Sequence, residues 1–227
     1  MKFVVTAGPT REHLDPVRFL SNPSTGKMGF AVARAAAMRG HEVALVAGPV
    51  SLKTPKGVRR IDVTSAREML AAVEEEMSKA KSGKPTVFVA TAAVADWRPA
   101  KCAARKLKKG QMSGILKLVR NPDILKTVAR RTKTTHSPTH PLTHSPTYLV
   151  GFAAETNDVI AEARRKCREK NLDMIVANDV TEKGSGFGVD TNRVTFVRKD
   201  GSVERLPLMT KLAVARRIVR ECEDLCP

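Results

Sequence analysis

Between the first predicted strand and the first predicted helix lies the stretch Ser21-Asn22-Pro23-Ser24-Thr25-Gly26-Lys27-Met28-Gly29. Its polar residues offer side-chain caps for a helix, and Gly26 and Gly29 let another molecule approach the backbone closely. The unpaired N–H groups at a helix N-terminus attract negative charge. The stretch therefore predicts an anion-binding turn that holds a phosphate, although a capped turn without a ligand would have the same composition.

The residues on either side predict a strand, loop, helix, strand unit. A buried-type strand covers Phe3 to Ala7, and apolar residues then recur at helical spacing from about Lys27 to Arg39. Gly40 stops this helix before an apolar strand from Glu42 to Val46. Strands and helices continue to alternate, and Asp200-Gly201 marks a tight turn near the C-terminus. This order predicts an α/β fold with a Rossmann-like, mainly parallel sheet flanked by helices and with a C-terminal β-hairpin.

Two familiar glycine-rich nucleotide loops differ from the anion-binding turn. A P-loop needs a glycine where Ser21 stands and a Ser or Thr where Met28 stands. The dinucleotide loop of short-chain dehydrogenases is the closer competitor, but the full GxGxxG pattern is absent and no ribose-binding acid stands near residues 47–49. The only tyrosine, Tyr148, is followed at the position of a catalytic lysine by Phe152. These differences count against an NAD(P)-dependent short-chain-type oxidoreductase, which is the alternative function because its loop is the most similar.

Length and composition indicate one well-buried domain. The chain has 227 residues, of which 42% are apolar, and its unbroken apolar runs are far shorter than a membrane span. A strand at the very start leaves no room for a signal peptide, so we expect a cytoplasmic protein without a membrane partner. The four cysteines lack CxxC spacing and are expected to be reduced thiols.

The charge is strongly basic. Forty Lys and Arg residues stand against 23 Asp and Glu, which gives a net charge of +17. Such a charge is compatible with a nucleic-acid-binding protein, but aromatic residues make up only 4% of the chain, so stacking platforms for bases are scarce. Basic clusters equally suit an enzyme whose substrates carry several phosphates. We therefore rank nucleic-acid binding third and expect no nucleic-acid partner.

One segment, at about 131–147, departs from the α/β pattern. Within it His136-Ser137-Pro138-Thr139 recurs as His144-Ser145-Pro146-Thr147. The prolines break a helix, so the histidines of this segment do not share a helix face that would bind a metal. The sequence predicts a Thr/His/Pro-rich flexible insertion in a single domain that spans residues 1–227.

A series of motifs resembles those of the phosphopantothenate-cysteine ligases, the nucleotide-dependent synthetases of coenzyme A biosynthesis. The motifs keep the order and spacing that they have in that family. The resemblance covers nearly the whole chain apart from the insertion. The motifs that carry it are Thr6-Ala7-Gly8-Pro9-Thr10-Arg11-Glu12, Asp15-Pro16-Val17-Arg18-Phe19, the anion-binding turn, Ala92-Ala93-Val94-Ala95-Asp96-Trp97-Arg98-Pro99, Asn121-Pro122-Asp123-Ile124-Leu125 and Gly151-Phe152-Ala153-Ala154-Glu155-Thr156.

The resemblance implies ligation of 4′-phosphopantothenate to L-cysteine through an acyl-nucleotide intermediate. The bacterial-type form of the anion-binding turn favours CTP as the co-substrate over ATP. Lysines and Mg²⁺ would offset the repulsion between an anionic carboxylate and a triphosphate. The family also implies a homodimer. Many relatives carry a flavin-dependent phosphopantothenoylcysteine decarboxylase as a preceding domain, so the chain is expected to be either a stand-alone enzyme with a separate decarboxylase as partner or a domain excised from a bifunctional protein.

The same resemblance implies roles for individual residues, although no metal ligands are assigned. Without it, Lys106, Lys166 and Lys170 would be read as solvated lysines and Phe152 as a core aromatic. The implied catalytic residues are Lys106 and Asn22. The implied nucleotide-binding residues are Ala90, Thr91, Ala92, Asp96, Lys106, Asn121, Pro122, Asp123, Ile124, Phe152, Lys166 and Lys170. The implied residues for binding the phosphopantothenate substrate are Asn22, Ser24, Gly26 and Arg18.

Overall fold

The computed structural model describes residues 1–79, 83–108, 114–134 and 146–225. The helices in these ranges are α1 (Lys27–Met38), α2 (Ala66–Ser78), α3 (Ile124–Thr134), α4 (Val159–Glu169) and α5 (Lys211–Asp224). The strands are β1 (Lys2–Ala7), β2 (Arg11–His13), β3 (Phe19–Ser21), β4 (Glu42–Ala47), β5 (Arg59–Asp62), β6 (Thr86–Ala90), β7 (Trp97–Pro99), β8 (Leu118–Arg120), β9 (Thr147–Glu155), β10 (Met174–Asp179), β11 (Thr191–Asn192), β12 (Thr195–Arg198), β13 (Val203–Arg205) and β14 (Met209–Thr210).

The main sheet has eight strands in the order β13-β12-β10-β9-β6-β1-β4-β5. The strands from β10 to β5 are parallel to their neighbours, whereas β12 and β13 form an antiparallel hairpin at one edge. This arrangement confirms the predicted fold and its C-terminal hairpin. From β1 the chain first builds the sheet outward through β4 and β5 and then returns to β6 on the other side of β1. The switch point thus lies between β1 and β6, where open α/β sheets bind their ligands.

Both faces of the sheet are covered, which explains why every residue of β1 is buried. Side chains alternate between the faces of a strand, so Phe3 packs in the core under α1 and α5, whereas Val4 packs in the core under α2, α3 and α4. The first core includes Phe30 of α1 and Ile218 of α5. The sheet therefore holds the ends of β1 and β6 rigidly at the switch point. No helix in the described ranges is long and apolar enough to cross a membrane.

The segments between the main strands differ from the prediction at several points. The residues between the first strand and the anion-binding turn, predicted as an irregular loop, contain the antiparallel pair β2 and β3. The apolar residues of Ile115–Val119 predict a strand, but the strand found there is the shorter β8, which pairs with β7 outside the main sheet. Asparagine favours the N-cap position, so the sequence predicts that Asn121 caps α3, and this prediction is wrong. Asp123 takes that position, since its Oδ1 accepts a hydrogen bond from Lys126 N at 2.9 Å.

The ends of the predicted insertion belong to regular elements. Residues 131–134 continue α3, and Thr147 begins β9. Residues 135–145 lie outside the described residues, so the prediction of a flexible segment stays a prediction there.

We expect residues 135–145 to be dispensable, because their prolines and their lack of an apolar face leave them little surface to bury. Replacing them with a short Gly/Ser linker should leave the melting temperature and the enzymatic rate close to those of the parent chain. A large fall in either quantity would show that the segment packs on the core or on the site.

A buried charge cluster ties α2 to the amino-terminal ends of β1 and β5, at the end of the strands opposite the switch point. Glu76 is 1% exposed and forms ion pairs with Lys2 at 3.4 Å, with Lys79 at 2.9 Å and with Arg59. Burial raises the pKa of the Glu76 carboxyl, but the hydrogen bonds from Arg59 and Lys79 and the charges of Arg59 and Lys2 outweigh burial. They lower the pKa from its ordinary 4.5 to about 2.

Because this pKa is depressed in the folded state, Glu76 stabilises the protein above about pH 4.5, and the contribution is lost as the pH falls towards 2. A shift of this size means that the ionised Glu76 contributes on the order of 3 kcal/mol to the free energy of unfolding. Glu76→Gln should therefore lower stability at pH 7 by that order and flatten its dependence on pH between 5 and 2. Urea titrations at several pH values measure both effects. The exposed neighbour Glu75 provides the control, since Glu75→Gln removes only a surface pair with Lys79.

Candidate functional site

The candidate site lies at the switch point, where the chain segments after β1 and β6 run side by side and form a parallel bridge between Pro9 and Ala93. Ala93 N donates to Gly8 O at 2.9 Å, and Thr10 N donates back to Ala93 O at 3.2 Å. Asn22 Nδ2 also donates to Ala93 O, at 3.0 Å. These bonds hold the predicted catalytic amide of Asn22 against the segment that follows β6, and the second N–H of its Nδ2 bonds to no other described residue.

The anion-binding turn starts α1 without a side-chain cap. Gly26 is the N-cap residue and has a φ of 78°, a left-handed conformation that favours glycine. No side chain accepts a capping hydrogen bond there, so the predicted Ser, Thr or Asn cap is wrong. Ser24 Oγ instead accepts a long hydrogen bond, 3.4 Å, from Gly26 N. The first N–H groups of α1 consequently have no capping acceptor in the described part of the chain and can bind an anion.

Gly29 is required for packing, whereas we predicted that it would let a ligand approach. A Cβ at this position would lie 2.4 Å from Thr91 Oγ1 and 2.5 Å from Ala7 Cβ. The glycine therefore lets α1 rest directly on the ends of β1 and β6. This close approach brings the first turn of α1 next to the backbone of residues 91–93.

A cavity of about 140 Å³ opens between the first turn of α1, the end of β6 and a loop that precedes β11. It brings together some of the predicted site residues, namely Ser24, Gly26, Thr91, Ala92 and Phe152. Its wall also contains residues to which the sequence analysis gave no role, among them Lys27, Asn178, Gly186, Phe187, Asn192 and Lys211. The glycine-rich run at residues 184–188 was the one sequence signal for this part of the wall.

The predicted catalytic Lys106 lies outside this cavity, on a loop tethered to the segment before the anion-binding turn. Leu107 N donates to Asp15 Oδ2 at 3.1 Å, and Arg18 Nη2 donates to Leu107 O at 3.0 Å. Asp15 is fully buried and also accepts from Arg18 Nε at 3.1 Å. The Arg18 side chain, followed by the N–H groups of Val17, Arg18 and Leu107, holds the pKa of Asp15 well below its usual range, although burial opposes this shift.

This anchor gives Arg18, predicted to bind substrate, a structural task as well. Its guanidinium joins the buried Asp15 to the backbone beside Lys106. The Lys106 side chain itself is exposed and bonds to no other described residue. The loop is thus fixed at its neighbour while the ammonium of Lys106 is left to bind a ligand.

The remaining predicted nucleotide-binding residues form a second group beside the cavity. Asn121 Nδ2 donates to Ala95 O at 2.8 Å, and Asn121 N donates to Asp96 O at 2.8 Å, so the two motifs that contain them are joined. Lys166 pairs with Glu155, and Lys170 pairs with Asp123 at 2.8 Å. Both predicted lysines therefore carry a carboxylate partner in the ligand-free protein.

The Asp123 carboxyl is ionised in this arrangement. Burial raises its pKa, but the hydrogen bonds from Lys170 and from Lys126 N outweigh burial, so that the net shift is downward. Ile124 is 5% exposed and its side chain packs in the core under α2, α3 and α4. Only the backbone of Ile124 is thus placed to meet a nucleotide. Ala90, Asp96, Asn121 and Pro122 likewise lie outside the cavity wall, and their predicted contacts with the nucleotide stay predictions.

The family model of the DNA/pantothenate metabolism flavoprotein C-terminal domain matches residues 1–225 of this chain. Curated relatives include the coenzyme A biosynthesis bifunctional protein CoaBC of Vibrio cholerae, which is 47% identical over 96% of this chain and 51% of its own length. The protein of the same name from Bacillus subtilis is 47% identical over 98% of this chain and 51% of its own length. The chain thus spans about half the length of these relatives.

Solved structures show the same architecture. The C-terminal domain of a coenzyme A biosynthesis bifunctional protein CoaBC superposes with a TM-score of 0.78 at 41% identity, covering 99% of this chain and 94% of that one. A Cab2 variant in complex with phosphopantothenate-cysteine superposes with a TM-score of 0.74 over 97% of this chain and 84% of that one. Its identity of 15% makes it evidence for the fold alone.

Proposed function

Because the chain belongs to the family of the DNA/pantothenate metabolism flavoprotein C-terminal domain, we propose that it ligates 4′-phosphopantothenate to L-cysteine, with CTP as co-substrate. The observation that carries the proposal is the uncapped N-terminus of α1, which opens into a cavity at the switch point of the sheet. Such a helix terminus binds phosphate. Neither the NAD(P)-dependent oxidoreductase nor the nucleic-acid-binding protein gains support from the relatives.

In this proposal the phosphate of phosphopantothenate binds at the first turn of α1, near Ser24 and Gly26. The apolar part of the cavity wall, which includes Met28 and Phe152, suits the hydrocarbon portion of the pantothenate arm. Asn22, bonded to Ala93 O, stands beside the same bridge and is proposed to orient the reacting carboxyl group by donating the second N–H of its Nδ2. An amide can do this without adding charge to the site.

The nucleotide is proposed to lie on the second group of residues. The backbone of residues 90–92 lets a ligand approach, and Asp96 and Asn121 offer hydrogen-bond partners for ribose or base. Lys166 and Lys170 are proposed to exchange part of their bonding to Glu155 and Asp123 for the phosphates of the nucleotide. The exposed ammonium of Lys106 is proposed to reach the α-phosphate from its tethered loop.

The chemistry follows from the charges of the two substrates. A carboxylate is a poor acyl donor until it is activated, so its oxygen attacks the α-phosphorus and expels pyrophosphate. The amine of cysteine then attacks the acyl carbon, CMP leaves with the bridging oxygen, and the amine loses a proton as the amide forms. Positive charge around the α-phosphate stabilises the first transition state, which is the role proposed for Lys106.

The triphosphate is proposed to be bound together with Mg²⁺. Among the described residues, no three His, Cys, Asp or Glu side chains gather into a metal-binding group. A nucleotide-borne Mg²⁺ needs few protein ligands, because the phosphates and water supply most of its oxygens, and when bound it would neutralise charge on the phosphates. The carboxylates of Asp123 and Glu155 are the acidic groups of the nucleotide region that could approach such an ion.

The partners proposed on the strength of the family are a second copy of the chain and a flavin-dependent decarboxylase that consumes phosphopantothenoylcysteine. The relatives are named as bifunctional proteins, and this chain matches about half of each. A cytoplasmic location is proposed on the same basis, since the substrates are biosynthetic intermediates.

The function is tested by pyrophosphate release with CTP or ATP, in the presence and absence of phosphopantothenate and cysteine. We expect release that requires phosphopantothenate, is faster with CTP, and is followed by amide formation only when cysteine is added. Tight binding of NAD(P) together with no nucleotide-dependent amide formation would overturn the proposal.

A further inference from the structure

Lys211 is a buried lysine that the proposed reaction does not yet use. It is the first residue of α5, is 7% exposed, and contributes to the wall of the cavity. Its Nζ donates to Gly186 O at 2.9 Å and to Val189 O. Its backbone N–H donates to Asp190 O at 2.8 Å. One residue therefore binds the loop formed by residues 184–190, here called the cover loop, at three points.

The location of Lys211 is electrostatically unfavourable without these acceptors. A cation at a helix N-terminus faces the positive end of the helix dipole, and burial removes its water. Burial lowers the pKa of Lys211, the charge of Lys27 lowers it further, and Asp190 opposes the shift. The carbonyl oxygens of the cover loop offset this cost, so the conformation of the loop and the position of the ammonium depend on each other.

The cover loop has further anchors at both ends. Thr191 Oγ1 donates to Gly184 O at 2.6 Å, and Asn192 Oδ1 accepts from Ser185 Oγ at 2.6 Å. Lys27, at the start of α1, donates to Gly188 O at 2.8 Å and pairs with Asp190 at 2.7 Å. Lys27 is partly exposed and stands at the proposed phosphate site, whereas Lys211 is buried. Lys211 is therefore the anchor that a bound phosphate is less able to displace.

The cover loop carries Gly186 and Phe187 into the cavity wall, to which Phe152 also contributes. Phe187 is 44% exposed and lines the cavity, so its ring is accessible to a ligand that binds there. We propose that Lys211 is a positioning residue, which holds the cover loop so that Phe187 closes the cavity over bound 4′-phosphopantothenate. This inference rests on the proposed function for the identity of the ligand. The clamp itself, meaning the hydrogen bonds from Lys211 to the cover loop, does not depend on that function.

Hydrogen exchange of the ligand-free protein tests the clamp without any substrate. Lys211→Met keeps the aliphatic stem and removes all donors, so the amides of residues 184–190 should exchange at least about tenfold faster than in the parent chain. Lys211→Arg should restore much of the protection. Lys2→Met provides a matched control, since Lys2 is also buried, 4% exposed, but lies at the amino-terminal end of β1, away from the switch point. Unchanged exchange in Lys211→Met would overturn the clamp.

Calorimetric titration with 4′-phosphopantothenate tests the consequence for binding. We expect Kd and KM for this substrate to rise about ten- to a hundredfold in Lys211→Met, with kcat changed far less, because a misplaced loop weakens a contact without removing a reacting group. Lys2→Met should change the melting temperature but not Kd. Equal Kd values for Lys211→Met and the parent chain would overturn the inference, whereas failure of the parent chain to bind the substrate would overturn the proposed function instead. If Lys211→Met does not fold, Lys211→Gln, which keeps a donor, replaces it in both measurements with the same expected direction.

Discussion

Lys106→Gln should lower the single-turnover rate of pyrophosphate release about a hundred- to a thousandfold, the usual cost of removing one transition-state contact of this kind. The reason is local charge: negative charge develops around the α-phosphate as the carboxylate attacks. The ammonium of Lys106 is exposed and bonds to no other described residue, while the adjacent Leu107 is fixed to Asp15 and Arg18. Gln keeps a polar side chain of similar reach but supplies no charge.

The assay follows pyrophosphate in the absence of cysteine, so that the first half-reaction is isolated. Lys101 is also exposed and lies on the same connection between β7 and β8, so Lys101→Gln is the matched control and should leave the rate within about twofold. Normal pyrophosphate release by Lys106→Gln would remove this lysine from the activation step.

Asn22→Asp should slow the second half-reaction, amide formation, by about a hundredfold while affecting activation less. Attack by the cysteine amine places negative charge on the acyl oxygen, and a carboxylate at position 22 would repel that charge. The substitution also replaces the Nδ2 donor that bonds to Ala93 O at 3.0 Å, so the side chain would lose its orientation. Mass spectrometry after a single turnover should therefore detect accumulated acyl nucleotide.

Asn171→Asp makes the same change of amide to carboxylate far from the switch point. Asn171 adopts a φ of 50° after α4, and Asp tolerates this left-handed conformation as Asn does. This control should show no accumulation. If Asn22→Asp also shows none, and forms the amide at the parent rate, Asn22 does not act on the acyl group.

The sheet could be predicted from the sequence because its strands are buried on both faces and stand between helices with clear start and stop signals. Ser65 illustrates this, since a serine directly before an apolar helical pattern predicts an N-cap, and the Ser65 side chain accepts a hydrogen bond from Glu68 N of α2. The short pairs β2–β3 and β7–β8 could not be predicted, because their pairing depends on tertiary contacts rather than on apolar periodicity. Asn121 was misassigned as a cap because asparagine favours that position. In the structure its side chain instead accepts a hydrogen bond from Arg98 and donates one to Ala95 O.

The cavity wall was predictable where the ends of adjacent strands form it, as at Thr91 and Ala92. Lys211 and Asn192 were missed because their approach to the cavity is set by β11 pairing with β14, a contact between short segments with no periodic signal. The resemblance to a family named many site residues, but it gave no reason for the tether between Asp15, Arg18 and Leu107. That tether joins residues that lie 89 and 92 positions apart in the chain, so no local sequence pattern predicts it.

The central claim, activation of the substrate carboxylate by the nucleotide α-phosphate, is tested most directly with phosphopantothenate labelled with ¹⁸O in both carboxylate oxygens. After one turnover with CTP and cysteine, the account predicts one labelled oxygen in CMP, one in the amide and none in pyrophosphate. Label in a released phosphate species other than CMP, or no label in any nucleotide, would contradict an acyl-nucleotide intermediate and with it the roles proposed for Lys106 and Asn22.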